Sequence, residues 1–150
     1  MTVVDARTGL VSVWSAQDAI PLAVAVSSST AAPGLAPPVE IAGSVWVDGG
    51  VRSTTNADLL VESGNGSAQG ASCTPGAGSV LIVAPRPTPD LAREEKLLAE
   101  RGHRVRVVTA RPFYKTPADL LDPRVIDIAA ATGSRQAGDL AAQLVTWWDD

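Results

Sequence analysis

The chain has 150 residues, enough for one domain with a sizeable core, and 45% of them are hydrophobic, which excludes an intrinsically disordered chain. Twelve basic against sixteen acidic side chains give a net charge of −4 with no dense Lys/Arg cluster, which speaks against a nucleic-acid partner or an anionic membrane surface. A single cysteine, Cys73, excludes an intrachain disulfide and a multi-cysteine zinc site, and a single histidine, His103, argues against a histidine-built metal centre.

The opening "MTVVDARTG" has neither the basic nor the apolar region of a signal peptide, and the longest apolar run, Ala19 to Val26, falls far short of the roughly 20 residues of a membrane helix. A cytoplasmic location without a transmembrane segment is expected. The chain nevertheless starts as if in mid-fold, on a strand with no lead-in, so a fragment is also an expectation.

In chain order, "TVVDARTGLVSVW" predicts a hairpin, with strands at Thr2 to Val4 and Leu10 to Trp14 around Asp5-Ala-Arg-Thr-Gly9. "SAQDAIPLAVAVSSST" predicts a short helix of small side chains starting near Asp18 or Pro21, and Pro33-Gly34 and Pro37-Pro38 then mark a stiff loop. "VEIAGSVWVDGG" alternates apolar and polar residues about Ala42-Gly43, a second hairpin whose last strand, Ser44 to Val47, delivers Asp48. A Gly/Ser/Ala-rich stretch over residues 63–78 reads as a flexible surface loop.

Beyond it, "SVLIVAPR" is a continuous apolar run of buried-strand type. "TPDLAREEKLLAERG" predicts a helix with Leu91, Leu97 and Leu98 on one face, Pro89 at its start and Gly102 as its stop. "HRVRVVTA" predicts a strand, and "DPRVIDIAAATGSRQAGDLAAQLVTWW" one or two helices interrupted near Gly133. Alternating strand and helix over residues 79–150 predicts a parallel α/β layout.

The chemistry-bearing candidate is Asp48-Gly49-Gly50. An Asp at a strand end before two glycines is commonly a turn former. The alternative is a carboxylate fixed on a rigid strand end beside the open space that glycine leaves, able to act as general base to a hydroxyl from elsewhere. No serine in the chain stands in the Gly-x-Ser-x-Gly setting of a nucleophile elbow; Ser67 in "GNGSAQG" has Gly66 directly before it and misses the spacing. Asn56 and Asp58 suit a helix N-cap and a first-turn acid. Arg52 is free to pair with a nearby acid or to meet a substrate anion. His103 and Trp147-Trp148 suit structural roles, and Cys73 lacks the neighbours of a reactive thiol.

Several of these pieces, in this order, resemble the patatin-like phospholipase family: the hairpin "TVVDARTGLVSVW", the small-residue helix, "SSSTAAPGLAPP", the second hairpin, Asp-Gly-Gly and "NADLL". The resemblance is best over residues 2–60. It implies a partial three-layer patatin-like α/β fold in a single partial domain over residues 1–150, hairpins in the N-terminal half and strand/helix alternation in the C-terminal half. It also implies that Asp48 is the proton-accepting member of a Ser-Asp dyad, with Gly49 and Gly50 completing the motif.

The family's glycine-rich oxyanion segment and nucleophile elbow do not occur in these 150 residues. The resemblance therefore implies the C-terminal part of a lipid acyl hydrolase, an esterase of lipid breakdown, inactive by itself. Its substrate would be a lipid or acyl ester, and no metal or cofactor is implied. A separate chain supplying the nucleophile, or a non-catalytic remnant serving as a binding or scaffold module, are the alternatives.

Overall fold

A computed structural model describes residues 1–62, 78–112, 116, 119 and 122–149. The loop expected over residues 63–78, with Ser67 and Cys73, lies outside the described residues except for Gly78. The chain divides into two compact units, one of Met1–Ile82 with Pro87–Val107 and one of Val83–Arg86 with Val108–Asp150.

Both predicted hairpins form in the first unit. Strands β1 (Thr2–Asp5) and β2 (Val11–Val13) pair antiparallel, as do β3 (Val39–Ile41) and β4 (Ser44–Asp48). Turn chemistry explains the second hairpin: Ala42 and Gly43 both have positive φ, +49° and +83°, the pair of left-handed conformations that matches the twist of a tight hairpin. The hairpins join through β1 and β4 into one sheet of order β2-β1-β4-β3. In that junction Val3 faces Asp48, Val4 faces Val47 and Asp5 faces Trp46. Val3 is fully buried, so the strand end carrying Asp48 is seated against the best-packed part of β1. On the same sheet Trp14 and Trp46 meet edge to face, ring centroids 5.1 Å apart.

Helix α1 (Leu22–Ser29) starts directly after Pro21, at the later of the two expected positions. A short 3-10 turn, Ala16–Asp18, precedes it, closed by reciprocal bonds between Ser15 and Asp18. The hydroxyls at the end of α1 are structural. Ser28 and Thr30 donate to the carbonyls of Val24 and Val26, and Ser29 Oγ donates to the carbonyl of Thr2 at 2.8 Å. A four-residue helix, α2 (Leu59–Glu62), follows β4 and its turn.

Strands β5 (Ser79–Ala84) and β6 (Arg104–Thr109) form a two-stranded sheet. The amide of Arg104 donates to Gly78 and that of Ala110 to Ala84, both at 3.0 Å, and the constant offset makes the pair parallel, as the strand/helix alternation predicts. Helix α3 (Pro89–Glu100) joins them. It has Thr88 as N-cap, its hydroxyl accepting from the Leu91 amide, and Gly102 beyond its end at φ +86°.

Three sequence expectations need correction. β5 is not continuously buried: Ile82 and Ala84 are, while Leu81 and Val83 are exposed, so its apolar run alternates in burial. Helix α4 (Val125–Asp149) runs through Gly133 without interruption, because one interior glycine costs only about 1 kcal/mol against alanine and a long helix absorbs it. The buried stripe of α3 is Leu91, Glu94 and Leu98, so an acid occupies a place on its inner face. Within the second unit, Gln136 of α4 donates to the Thr109 carbonyl at 2.6 Å and accepts from the Arg111 amide at 2.9 Å, and Arg111 also pairs with Asp139. Among the described residues, no helix is long and apolar enough to cross a membrane.

Candidate functional site

Asp48 is the last residue of β4, and two backbone contacts fix it. Its place opposite Val3 sets the register, and its own amide donates to the Ala31 carbonyl at 3.1 Å, just past α1. The chain then turns at once into a 3-10 turn, Gly49–Val51, of which Asp48 is the N-cap: Oδ1 accepts from the Gly50 amide at 2.7 Å. Among the described residues Oδ2 receives no hydrogen bond. The carboxylate is thus oriented through one oxygen and left half-buried with the other available.

The two glycines are required for different reasons. A Cβ on Gly49 would lie 2.6 Å from the Thr2 carbonyl oxygen and 2.9 Å from its carbonyl carbon, backbone atoms of β1 that cannot give way. A Cβ on Gly50 would meet Asp48 Oδ1 at 3.0 Å, crowding the carboxylate itself. Gly49→Ala is therefore expected to destabilise the fold by about 1–3 kcal/mol through overpacking at the β1–β4 junction. Urea unfolding of the variant beside the parent measures this, and an unchanged midpoint would remove the tight packing from the account.

Downstream of the turn, side chains expected to cap a helix are used otherwise. Arg52 makes a two-pronged bond to Asp58, at 2.8 and 2.7 Å, and also donates to Asn56 Oδ1 at 3.0 Å. Of the two options for Arg52, the structure takes the pairing with an acid. Asp58 is fully buried rather than a solvated first-turn acid, and Arg93 of α3 approaches it at 3.4 Å. Hydrogen bonds from Arg52 hold the Asp58 carboxyl below its ordinary value of 3.8. Burial pushes the other way and is outweighed, with the charges of Arg52 and Arg93 adding to the lowering.

Asn56 sits at φ +50°, a left-handed conformation that asparagine tolerates better than most residues. Its Nδ2 donates to the carbonyls of Ser53 at 2.6 Å and Gly49 at 3.2 Å. Buried Ser53 spends its hydroxyl oxygen accepting from the amides of Thr55 and Asn56. The segment after Asp-Gly-Gly is thus a folded knot of side-chain bonds whose side-chain tie to the motif is the Asn56–Gly49 contact, beside the Arg52 and Ser53 amides that donate to the same carbonyl.

Elsewhere, His103 Nδ1 accepts from the Gly78 amide at 3.3 Å, a structural contact, and Trp147 and Trp148 lie against each other with centroids 5.7 Å apart. Among the described residues no group of three or more His, Cys, Asp or Glu is placed to hold a metal ion. Asp48, Gly49 and Gly50 thus stand at the end of β4, with Arg52, Asn56 and Asp58 in the segment that follows. Glu94 of α3, which accepts from Thr55 and the Ala57 amide, was not signalled by the sequence, because a Glu-Glu pair in an amphipathic helix reads as solvated surface.

A family model described as patatin-like phospholipase matches residues 1–61, which takes in β1 through most of α2, and with them Asp48 and the knot behind it but not α3. No curated protein and no solved structure matches the chain. The ordered motifs over residues 2–60 and the family model over residues 1–61 single out the same segment as similar to patatin-like phospholipases.

Proposed function

We propose that this chain contributes the proton-accepting half of a lipid acyl-ester hydrolase of the Ser-Asp dyad type. Asp48 is the base, and the serine and oxyanion donors come from outside these 150 residues. The observation that supports this most is the carboxylate at the end of β4, oriented through Oδ1 by the Gly50 amide with Oδ2 left available, inside the segment that matches the patatin-like family.

The reaction that fits is nucleophilic acyl transfer. Asp48 takes the proton of the serine hydroxyl as its oxygen bonds to the ester carbonyl carbon. Collapse of the tetrahedral species breaks the bond to the alcohol, which leaves with the proton from Asp48, and an acyl-enzyme remains. Water then attacks the acyl carbon while Asp48 takes a proton from it. The carboxylic acid departs and the serine regains its hydrogen. Asp48 thus gains and loses a proton twice per turnover.

The test is completion. The 150-residue chain alone is expected to hydrolyse no p-nitrophenyl acyl ester above background. Fused to, or co-expressed with, a segment bearing a glycine-rich oxyanion stretch and a Gly-x-Ser-x-Gly elbow, it is expected to gain serine-dependent hydrolysis. A folded, assembled complex that remains inactive on short- and long-chain esters would overturn the proposal, as would hydrolysis by the chain alone.

A further inference from the structure

Glu94 lies on α3, beyond the patatin-like segment, and is fully buried. Burying a carboxyl group is strongly penalised unless its bonds are well met, and here they are met on one side only. Oε2 accepts from the hydroxyl of Thr55 in a short bond and from the Ala57 amide at 3.0 Å. Among the described residues Oε1 has no hydrogen-bond partner, and Arg93 Nη2 comes no nearer than 4.0 Å. A leucine would fill this place on the inner face of α3 without that penalty, so packing does not account for an acid here.

The direction of its bonds does. Thr55 and Ala57 flank Asn56, the residue held in the left-handed region, and Asn56 in turn bonds the Gly49 carbonyl immediately after Asp48. From the other side Arg52, fixed by Asp58, holds the Asn56 amide oxygen. Asn56 is thus clamped from two directions, and its grip on Gly49 bears on the turn that orients the Asp48 carboxylate through Gly50.

We infer that Glu94 is a positioning residue for Asp48, acting through Thr55, Ala57 and Asn56 on the Gly49–Val51 turn, so that α3 completes a site whose visible motif ends some forty residues earlier. Its catalytic meaning rests on the proposed role of Asp48, but its test does not require activity. In the ¹⁵N- and ¹³C-labelled 150-residue chain, Glu94→Ala is expected to shift the Gly49 and Gly50 amide resonances and speed Gly50 amide exchange by about 10-fold or more relative to the fold as a whole. It is also expected to shift the Asp48 carboxyl carbon resonance.

Glu94→Gln, whose carbonyl oxygen can accept from the same two donors, is expected to restore all three signals. Leu98→Ala, which loosens α3 without touching this path, is expected to lower stability and leave them in place. If Glu94→Ala does not fold, Thr55→Val removes one of the two donors and should shift the same resonances in the same direction. Unmoved Gly49, Gly50 and Asp48 signals in a folded variant would overturn the inference, and so would equal shifts in Leu98→Ala. If these signals respond to Glu94 while the completed enzyme proves indifferent to Asp48, the positioning path stands and the catalytic reading alone fails.

Discussion

Asp48→Asn in the completed hydrolase is expected to lower kcat/KM by roughly 10²–10⁴-fold, the range for loss of a positioned general base. The substitution separates the observed capping role of this side chain from its proposed catalytic one. Asparagine keeps the shape and an oxygen for the Gly50 amide, and it caps a helical turn about as well as aspartate. What it loses is the ability to take a proton from a serine hydroxyl. Thermal unfolding should therefore stay close to the parent while initial rates of ester hydrolysis collapse. Parent-like rates with a parent-like melt would return Asp48 to the role of turn former.

The second large effect concerns the fold. Arg52→Ala is expected to destabilise the chain by about 3–5 kcal/mol, the usual cost of leaving a buried charge without its partner. Asp58 is fully buried and would retain, as its charged partner among the described residues, Arg93, which is 3.4 Å away and more than half exposed. Asn56 would lose its Arg52 bond in the same step. Urea unfolding measures the loss, and Asp58→Asn in the Arg52→Ala background should recover much of it by removing the stranded charge. A midpoint for Arg52→Ala within 0.5 kcal/mol of the parent, about what an ordinary surface substitution gives, would refute the claim.

The same pair sets an acid limit, and its sign follows from the direction of the Asp58 shift. A carboxyl whose folded pKa lies below its ordinary value of 3.8 contributes its stabilisation fully above that value and loses it as pH falls through the lower folded pKa. The difference in melting temperature between the parent and Asp58→Asn should accordingly be constant near neutrality and shrink below about pH 4.

Local features of the fold were legible because local chemistry decides them. The turn at Ala42-Gly43, Pro21 before α1, Pro89 at the head of α3 and Gly102 at its end each act within a few residues, and each appears where the sequence places it. Asp48 at a strand end was legible for the same reason, and its neighbours in order pointed to the similarity that the family model finds over residues 1–61. Non-local choices were hidden. Nothing in the spacing of Arg52 and Asp58 says that the aspartate turns inward, since that depends on α3 bringing Arg93 and Glu94 against it. The burial of Glu94 was illegible because helix periodicity sorts faces by polarity, and this acid lies on the face that polarity assigns to leucine. The uninterrupted course of α4 through Gly133 reflects the opposite case, in which a local breaker is outweighed by the length of helix around it.

The division of the Asp48 carboxylate between a held oxygen and an available one bears on the work of each turnover in the proposed reaction. A base that must rotate or surrender a structural bond to receive a proton adds that rearrangement to its barrier. In the proposed reaction, with Oδ1 engaged by Gly50, the arriving proton would go to Oδ2, and the neutral acid would still offer Oδ1 as an acceptor to the same amide. The Gly49–Val51 turn could then keep one geometry in both protonation states, so the proposed cycle would run against a stationary backbone, with little reorganisation around the proton it moves.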